Sequence, residues 1–540
     1  MQFSKSITLA AINAKWIHPS LALRLLKANL GKLEQHCRIL EFALRQPMEE
    51  KVEAILAATP QILGLSIYIW NHKATLDLLK TLHEKWDRAN QPCLQPGQPA
   101  CPQPACARPP CPRPAYPRSK QQPCPRPWVV LGGPEVSWLP PESEIFRYAD
   151  YVIRGEGEIS FRELCDKLFD EKGAETAKPF GLPISTQFIE AESPDLTDPG
   201  LAFAYDLYTE EDIEQKLIYV ESSRGCVFNC DFCLSSTDNY ITGDKTAGSK
   251  TREFPLKPFL KEMDKLLFRL QAVSKRKQKQ HTIKFLDRSF NINSERALEI
   301  FKFFLDHIDK NKNLCVHFEM VPFNIPPNMI DMLGLFPQGS LRLELGVQTI
   351  NSKTAKTINR SANPDNVLEV LENLRKQTNA ILHVDLIAGL PGEDIESFGK
   401  GFDQLWISMT NENPGDSETR SLQTPFEIQP GILKLLPGTP MSKHTDSFGM
   451  VYDKEPPYEI IETAAIPESE MQRIKNFARF WEILVNRNNF SDEISGFIKY
   501  GEPVFLQFME LSDQLLKHFG CNWGIAREEL RNTLQHINCA

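Results

Sequence analysis

No apolar run in this sequence is long enough to cross a bilayer. A membrane-spanning helix needs about 20 mostly apolar residues, and the longest such run here, Ile62 to Trp70, covers nine. The N-terminus lacks a small-residue cleavage site behind its short apolar stretch. It reads as a first strand and not as a signal peptide, with the protein expected in the cytoplasm and away from membranes. Positive charge is also short: 61 Lys and Arg against 70 Asp and Glu leave a net charge of −9. That balance argues against non-specific nucleic-acid binding, which depends on neutralising many phosphates. Cysteine and proline are scarce once mapped. Of 13 Cys and 40 Pro, five and 13 fall within residues 92–127, leaving eight and 27 for the other 504 positions.

That stretch is built on near-repeats of Cys-Pro-Gln-Pro and Cys-Pro-Arg-Pro, with Cys93, Cys101, Cys106, Cys111 and Cys124 among basic residues up to Arg126. Proline removes backbone donors and forbids helix, so the stretch is expected to be extended, solvated and disordered. Its cysteines lack the paired short spacings of zinc sites. It reads as a tolerated insertion, the alternative being a metal-binding or partner-docking tether.

What remains, 41% apolar and 24% charged over 540 residues, suits two or three globular domains. Strands and helices alternate. Strands are predicted at Ser6–Ile12, Arg38–Phe42, Ile62–Tyr68, Trp128–Leu131 and Tyr151–Arg154, with helices at about Ser20–Leu30, Met48–Ala58 and Ala74–Trp86 and from Glu158. The near-continuous apolar strands fit a sheet covered on both faces. Residues 1–170 therefore read as an α/β domain, doubly wound and flavodoxin-like, whose ligand sites lie at the carboxyl ends of the strands. Those ends carry Asn13 to His18, Tyr68 to Asn71, Gly132-Gly133-Pro-Glu135 and Gly155-Glu156-Gly-Glu158. A linker is expected over 171–214.

A second series of strands is predicted at Leu217–Glu221, Thr282–Leu286, Cys315–Glu319, Leu341–Gly346, Ile381–Ala388 and Ile428–Leu435. Helical patterns at Leu256–Val273, Ser294–Ile308, Pro326–Leu333, Asn363–Lys376 and Glu393–Ser408 separate them. Six βα repeats over 215–445 suggest a partial (β/α)6 barrel with its site at the C-terminal strand ends. Residues 446–540 read as a small, mainly helical C-terminal domain.

Directly after the first strand of this series stands Cys226-Val-Phe-Asn-Cys230-Asp-Phe232-Cys233. Three thiols within eight residues suit one metal centre. A structural zinc site needs a fourth ligand nearby, and Leu234 to Tyr240 offer neither Cys nor His. Iron–sulfur clusters normally take four thiolates; three leave one iron open to another ligand.

With an aromatic residue, Phe232, before the third cysteine, this loop resembles the radical S-adenosylmethionine (SAM) superfamily, over about residues 215–445. The resemblance implies that Cys226, Cys230 and Cys233 hold a 4Fe–4S cluster. The open iron of that cluster would chelate SAM, and an electron from a flavodoxin- or ferredoxin-type reductant would cleave SAM to a 5′-deoxyadenosyl radical. It also implies SAM-binding roles along later strand ends. Asp287 stands where the family often has a Gly-Gly-Glu run, which is absent here. Glu319, Glu344, Gln348, Asp385 and Gly389 follow. Asp385 reads equally as a buried structural carboxylate, Gln348 as the residue closing a turn, and Gly389 as a turn glycine. His317 reads as a packing residue or a ligand.

The N-terminal domain resembles the cobalamin-binding domain of cobalamin-dependent radical SAM proteins, through Leu131-Gly-Gly-Pro-Glu135 and Val152-Ile-Arg-Gly-Glu-Gly-Glu158. The full run is most similar to a bacterial subfamily with an extra C-terminal domain of unknown function. Its matching segments include Ala11 to His18, Tyr68 to Asn71, Ser222 to Cys226 and Pro456-Pro-Tyr458. This implies corrinoid contacts by Asn13, His18, Tyr68, Gly132, Gly133 and Glu156. None of the 11 His has Asp two positions before it, so the Asp-x-His-x-x-Gly cobalt ligand is missing, and His18 reads equally as a capping residue. The function implied is a radical methyltransferase acting on a small molecule or peptide. The alternatives are radical rearrangement or cyclisation without methyl transfer, and a cofactor-binding redox sensor.

Overall fold

A computed structural model describes residues 5–90, 126–170, 185–236, 251–277, 279–308, 313–323, 325–360, 363–410, 426–487 and 502–539, with isolated positions between 488 and 501. The chain forms two compact units: Met1–Trp16 with Ala22–Pro194, and Ile17–Leu21 with Asp195–Ala540. Among the described residues no helix is long and apolar enough to cross a membrane.

The first unit is a six-stranded parallel sheet of β1 (Ile7–Asn13), β2 (Cys37–Ala43), β3 (Ile62–Ser66), β4 (Trp128–Gly132), β5 (Tyr151–Arg154) and β6 (Gln187–Glu190), in the order β2-β1-β3-β4-β5-β6. Alternate strand residues face opposite ways, and both faces are covered. Ala10, Ile12, Leu63, Leu65, Val129 and Leu131 belong to one core, with Val52, Ile55, Leu78 and Leu82 from the helices Met48–Ala58 and His72–Asn90. Ile7, Leu9, Ala11, Ile62 and Ile153 belong to the other, with Phe161, Leu164 and Cys165 from the helix Glu158–Asp170. The first five strands have the flavodoxin-like order expected, and its switch point lies between β1 and β3. β6 falls inside the span expected to be a linker. It is a sheet-edge strand whose residues are all half-buried or exposed, so no apolar period marks it. The Pro- and Cys-rich stretch lies outside the described residues as far as 125. Arg126 does not share the solvation expected of that stretch: its guanidinium lies 3.1 Å from the fully buried Asp150 carboxylate, which also accepts from the Val129 N–H at 2.9 Å.

The second unit opens with β7 (Ile218–Val220) and a short antiparallel pair, β8 (Ser223–Arg224) with β9 (Arg252–Glu253), which flanks the cysteine loop. Then come β10 (His281–Phe285), β11 (Leu314–Met320), β12 (Leu341–Gln348), β13 (Ile381–Ala388) and β14 (Phe426–Ile432). Apart from the short pair, these form a six-stranded parallel sheet with neighbours in strict sequence order, β14-β13-β12-β11-β10-β7. Right-handed crossovers between such neighbours put every connecting helix on one face, leaving the other face as the hollow of a partial barrel. Burial follows this division. Along β12, Leu341, Leu343, Leu345 and Val347 are buried, while Arg342, Glu344, Gly346 and Gln348 are half-buried on the opposite face. A helix, Glu210–Gln215, stands within the expected linker; its N-cap Thr209 makes a capping box with Asp212.

The C-terminal residues add β15 (Val451–Tyr452) paired with β16 (Ile460–Glu462) and the helices Glu468–Trp481, Val504–Phe519 and Arg527–Cys539. They do not form a separate compact unit. Phe402 on the last barrel helix packs edge-on against Trp481 at 4.8 Å, and a Cβ on Gly399 would lie 2.5 Å from the Phe505 ring. That helix can lie so close only because position 399 has no side chain.

Candidate active site

The cysteine loop begins just past β8, where Gly225 (φ 86°) turns the chain. Cys230 is 5% exposed; Cys226 and Cys233 are half-buried, and none of the three is in a disulfide. Burial pushes the Cys226 and Cys230 thiols up, and each is raised further by Cys233 nearby. Ser289 hydrogen-bonds Cys226 and works the other way. So does Arg360, whose guanidinium lies 3.5 Å from Cys230 Sγ and also donates to the Gly346 carbonyl. Among the described residues no three His, Cys, Asp or Glu are gathered tightly enough to hold a single metal ion. A four-iron cluster asks less of its loop, because each thiolate binds a different iron and the sulfurs stand further apart. Three neighbouring thiols, with a cation against the most buried of them, fit a site that must hold thiolates.

The hollow of the barrel is lined by ionisable groups at alternate strand positions. Lys284 (β10) donates to Glu344 (β12) at 2.6 Å, and His317 Nε2 (β11) lies 3.0 Å from the same oxygen. Burial pushes the His317 imidazole down to about 4, so it is neutral at physiological pH. Burial opposes ionisation of Glu344, but its bonds with His317 and Lys284 outweigh that and hold it below the usual carboxylate range. Further along, His383 (β13) bridges Glu427 at 2.9 Å and Asp385 at 3.1 Å, while Arg342 pairs with Glu427. Burial lowers the His383 pKa, and the two carboxylates more than reverse this, to about 10. It is therefore a half-buried imidazolium. Arg288 pairs with Glu319 at 3.2 Å. Tyr219 (β7) hydrogen-bonds His18 Nδ1 at 2.7 Å, and burial with the nearby Glu344 and Glu319 raises its phenol to about 12.

Several expected site residues thus meet in this hollow: Glu319, Glu344, Asp385 and His317. Two others do different work. Asp287 is 2% exposed, and both its oxygens are taken, by the Ser222 N–H at 2.9 Å and the Ser222 and Ser223 hydroxyls at 2.7 and 2.6 Å. It braces the ends of β7 and β10 and is not set to grip an amino group. Gly389 (φ 86°) is packed against the C-terminal residues: a Cβ there would lie 2.7 Å from Ile460 and 3.0 Å from Met471. Its missing side chain serves that packing. Gln348 adopts φ 74° at an irregularity in the β12–β13 register, folding its amide over Gly346 beside Arg360. Phe232 is half-buried on the cysteine loop.

Lys284, His383 and Glu427 belong to the site although no motif marks them. The strand register reaches all three from residues that were expected there. His317 stands opposite Lys284, Glu344 opposite His383, and His383 opposite Glu427. Arg360 lies outside the strands and has no local signal.

The residues expected to contact a corrinoid lie at strand ends of the first unit, with one exception. Asn13 closes β1 and donates to Glu41 at 3.2 Å, a carboxylate that also holds the buried Arg24 at 2.8 Å. Tyr68 stacks on Trp70 with ring centroids 4.3 Å apart. Asn71 is consumed by the fold: its side chain bonds the Ile12 and Ser66 carbonyls and the Tyr68 N–H. Gly133 (φ 108°) is required by the backbone, since a Cβ would lie 2.6 Å from the Ile67 carbonyl oxygen. At Gly132 the nearest atom to a Cβ is 3.7 Å away, so packing leaves room there. Glu156 is half-buried in the turn after β5. The exception is His18, which belongs to the second unit, where its Nδ1 is engaged by Tyr219. It is not a strand-end ligand of the first unit.

Residues 220–405 match the family described as the Radical SAM superfamily. The chain carries a radical SAM domain. A 4Fe–4S cluster and SAM are the cofactors this domain implies. Residues 446–533 match a second family, described as a protein of unknown function (DUF4080), so the radical SAM domain is followed by the extra domain expected from the sequence. An uncharacterized methyltransferase of Pyrococcus horikoshii is 30% identical over 182 residues, 32% of this chain and 36% of that protein. The match spans about a third of the relative's length. Two solved structures share the fold of this chain. One is the methyltransferase TsrM from Kitasatospora setae with cobalamin and a [4Fe-4S] cluster bound: TM-score 0.51, 14% identity, covering 84% of this chain and 78% of that one. The other is the cobalamin-dependent SAM radical enzyme OxsB with aqua-cobalamin and SAM bound: TM-score 0.56, 13% identity, covering 99% and 75%.

Proposed function

We propose that the protein is a cobalamin-dependent radical SAM methyltransferase. In this reading Cys226, Cys230 and Cys233 ligate the cluster, and the strand ends of the first unit hold the corrinoid. The observation that carries the cobalamin assignment is the exposed aromatic surface at the switch point of the first sheet. Trp16 and Trp70 are each 44% exposed, past the carboxyl ends of β1 and β3, and Trp70 is backed by the stacked Tyr68. Large aromatic rings facing solvent at a ligand-binding switch point suit a broad, partly apolar ring system. Gly132, with room for a side chain it does not have, lets a ligand approach the backbone.

When bound, the cluster and SAM supply a carbon-centred radical and the corrinoid a transferable methyl group. The chain's residues position and exclude. Arg360 and Ser289 stabilise thiolates at Cys230 and Cys226. The paired charges of the barrel hollow present donors and acceptors to a polar substrate, a small molecule or peptide. Among them Asp385 and Glu319, both on the hollow's wall, are suited to the polar groups of SAM. The electron comes from a flavodoxin- or ferredoxin-type reductant.

The test is binding of hydroxocobalamin to the full chain. Trp70→Ala is expected to weaken binding about tenfold, the scale of one lost aromatic contact, with the melting temperature unchanged. The paramagnetic resonance spectrum of the reduced cobalt form is expected to lack imidazole nitrogen splitting, because none of the 11 His stands in the Asp-x-His-x-x-Gly pattern of a cobalt ligand. Splitting that disappears in His18→Ala would contradict this arrangement, and failure of the wild-type chain to bind cobalamin would exclude the corrinoid. Product mass, one methylene heavier than substrate, separates methyl transfer from rearrangement.

A further inference from the structure

The cysteine loop carries a carboxylate, Asp231, directly after Cys230. Its side chain is 1% exposed, and three others close on it. Asn359 Nδ2 donates to Oδ1 at 3.0 Å. Lys443 Nζ lies 2.9 Å from Oδ1 and 2.8 Å from Oδ2. His444 Nε2 lies 2.8 Å from Oδ2. The Asp231 N–H donates to the Ile358 carbonyl at 3.1 Å, so the loop is pinned by backbone as well as by side chains. Lys443 and His444 end the short turn Pro440–His444, more than 200 residues further along the chain.

This arrangement does more than hold a loop. An iron–sulfur cluster bound by three thiolates is anionic and becomes more so on reduction, and its potential responds to charges and hydrogen bonds close by. A buried carboxylate one residue from a ligand opposes the incoming electron, and in a poorly screened site that opposition is large. Asn359 can satisfy the carboxylate's lone pairs but cannot neutralise its charge, and His444 does so only when protonated. Lys443 can, and it is placed with its stem half-exposed and its ammonium on the buried oxygens.

We propose that Lys443 is a positioning residue that tunes the cluster: by neutralising Asp231 it keeps the cluster reducible and so permits SAM cleavage. The proposal rests on the assignment of the cluster to Cys226, Cys230 and Cys233, and goes beyond it in giving the turn before the C-terminal domain a redox role.

The test uses the full chain, reconstituted anaerobically, with iron counted and the midpoint potential followed by paramagnetic resonance. Lys443→Met is expected to keep its iron and to shift the midpoint to a more negative potential. Lys443→Arg is expected to stay near wild type. Asp231→Asn combined with Lys443→Met, which removes both charges, is expected to return the potential towards wild type, an outcome that loss of a merely structural brace does not produce. An unchanged midpoint in Lys443→Met overturns the proposal. If that variant loses its iron, the double variant decides: recovery of iron and potential supports the proposal, and no recovery overturns it. A wild-type chain that binds no iron overturns the cluster assignment and this proposal together, whereas iron bound with an unmoved potential overturns this proposal alone.

Discussion

Cys230→Ala is expected to abolish both the cluster and SAM cleavage, where reconstituted wild-type protein holds about four iron atoms per chain at this site. Cys230 is the most enclosed of the three thiols, at 5% exposure, and it meets the Arg360 guanidinium. Replacing it leaves two thiolates, too few to retain a cluster that already lacks a fourth protein ligand, and leaves Arg360 facing a methyl group. Iron should be counted by a colorimetric assay. The five cysteines within residues 92–127 are an alternative source of iron binding, so the comparison belongs in a chain lacking 92–125 as well. Arg126 is kept there because its bond with Asp150 anchors the start of β4. Full iron and full cleavage in Cys230→Ala would remove this cysteine from the site.

Gly133→Ala is expected to unfold the first unit or to leave it marginal. The added Cβ would stand 2.6 Å from the Ile67 carbonyl oxygen and 3.0 Å from the Ile67 nitrogen, at φ 108°. Neither atom can swing away as a side chain would. The Ile67 N–H is bonded to the Gly132 carbonyl at 2.8 Å, and the Ile67 oxygen accepts from the Glu135 N–H at 3.3 Å. Forcing a non-glycine residue into such a conformation costs about 1–3 kcal/mol, and overpacking about 1–3 kcal/mol more. The sum is a large part of the roughly 5–15 kcal/mol that stabilises a domain. Gly132→Ala, with its nearest neighbour at 3.7 Å, is expected to melt like wild type while weakening cobalamin binding. Melting curves of the two variants and a cobalamin titration of the second check both statements. Equal stability for Gly133→Ala would contradict the first.

Regular periodicity made most of the fold legible. The helices Met48–Ala58 and Ser294–Ile308 and the strands Tyr151–Arg154 and Ile381–Ala388 occupy the residues their patterns indicate, because a covered face leaves a strong apolar signal over several residues. β6, β8, β9, β15 and β16 carry two to four residues each and are too short or too polar to show one. In the site, the cysteine spacing is local and therefore visible. The groups that hold the loop are not: Asn359 and Lys443 meet Asp231 across 128 and 212 residues of chain, and only the folded barrel brings them together. The two glycine motifs show a related limit of local sequence. A glycine required by a neighbouring backbone, as at 133, or by a packed side chain, as at 389, looks in sequence like one that serves a ligand.

The central claim, that this chain generates a radical from SAM at its three-cysteine loop, is tested most directly by 5′-deoxyadenosine formation. The reconstituted full chain, incubated with SAM and dithionite and assayed by mass spectrometry, is expected to yield 5′-deoxyadenosine that depends on both reductant and cluster. Protein that carries about four irons at this loop and forms no 5′-deoxyadenosine, with or without cobalamin, would contradict it.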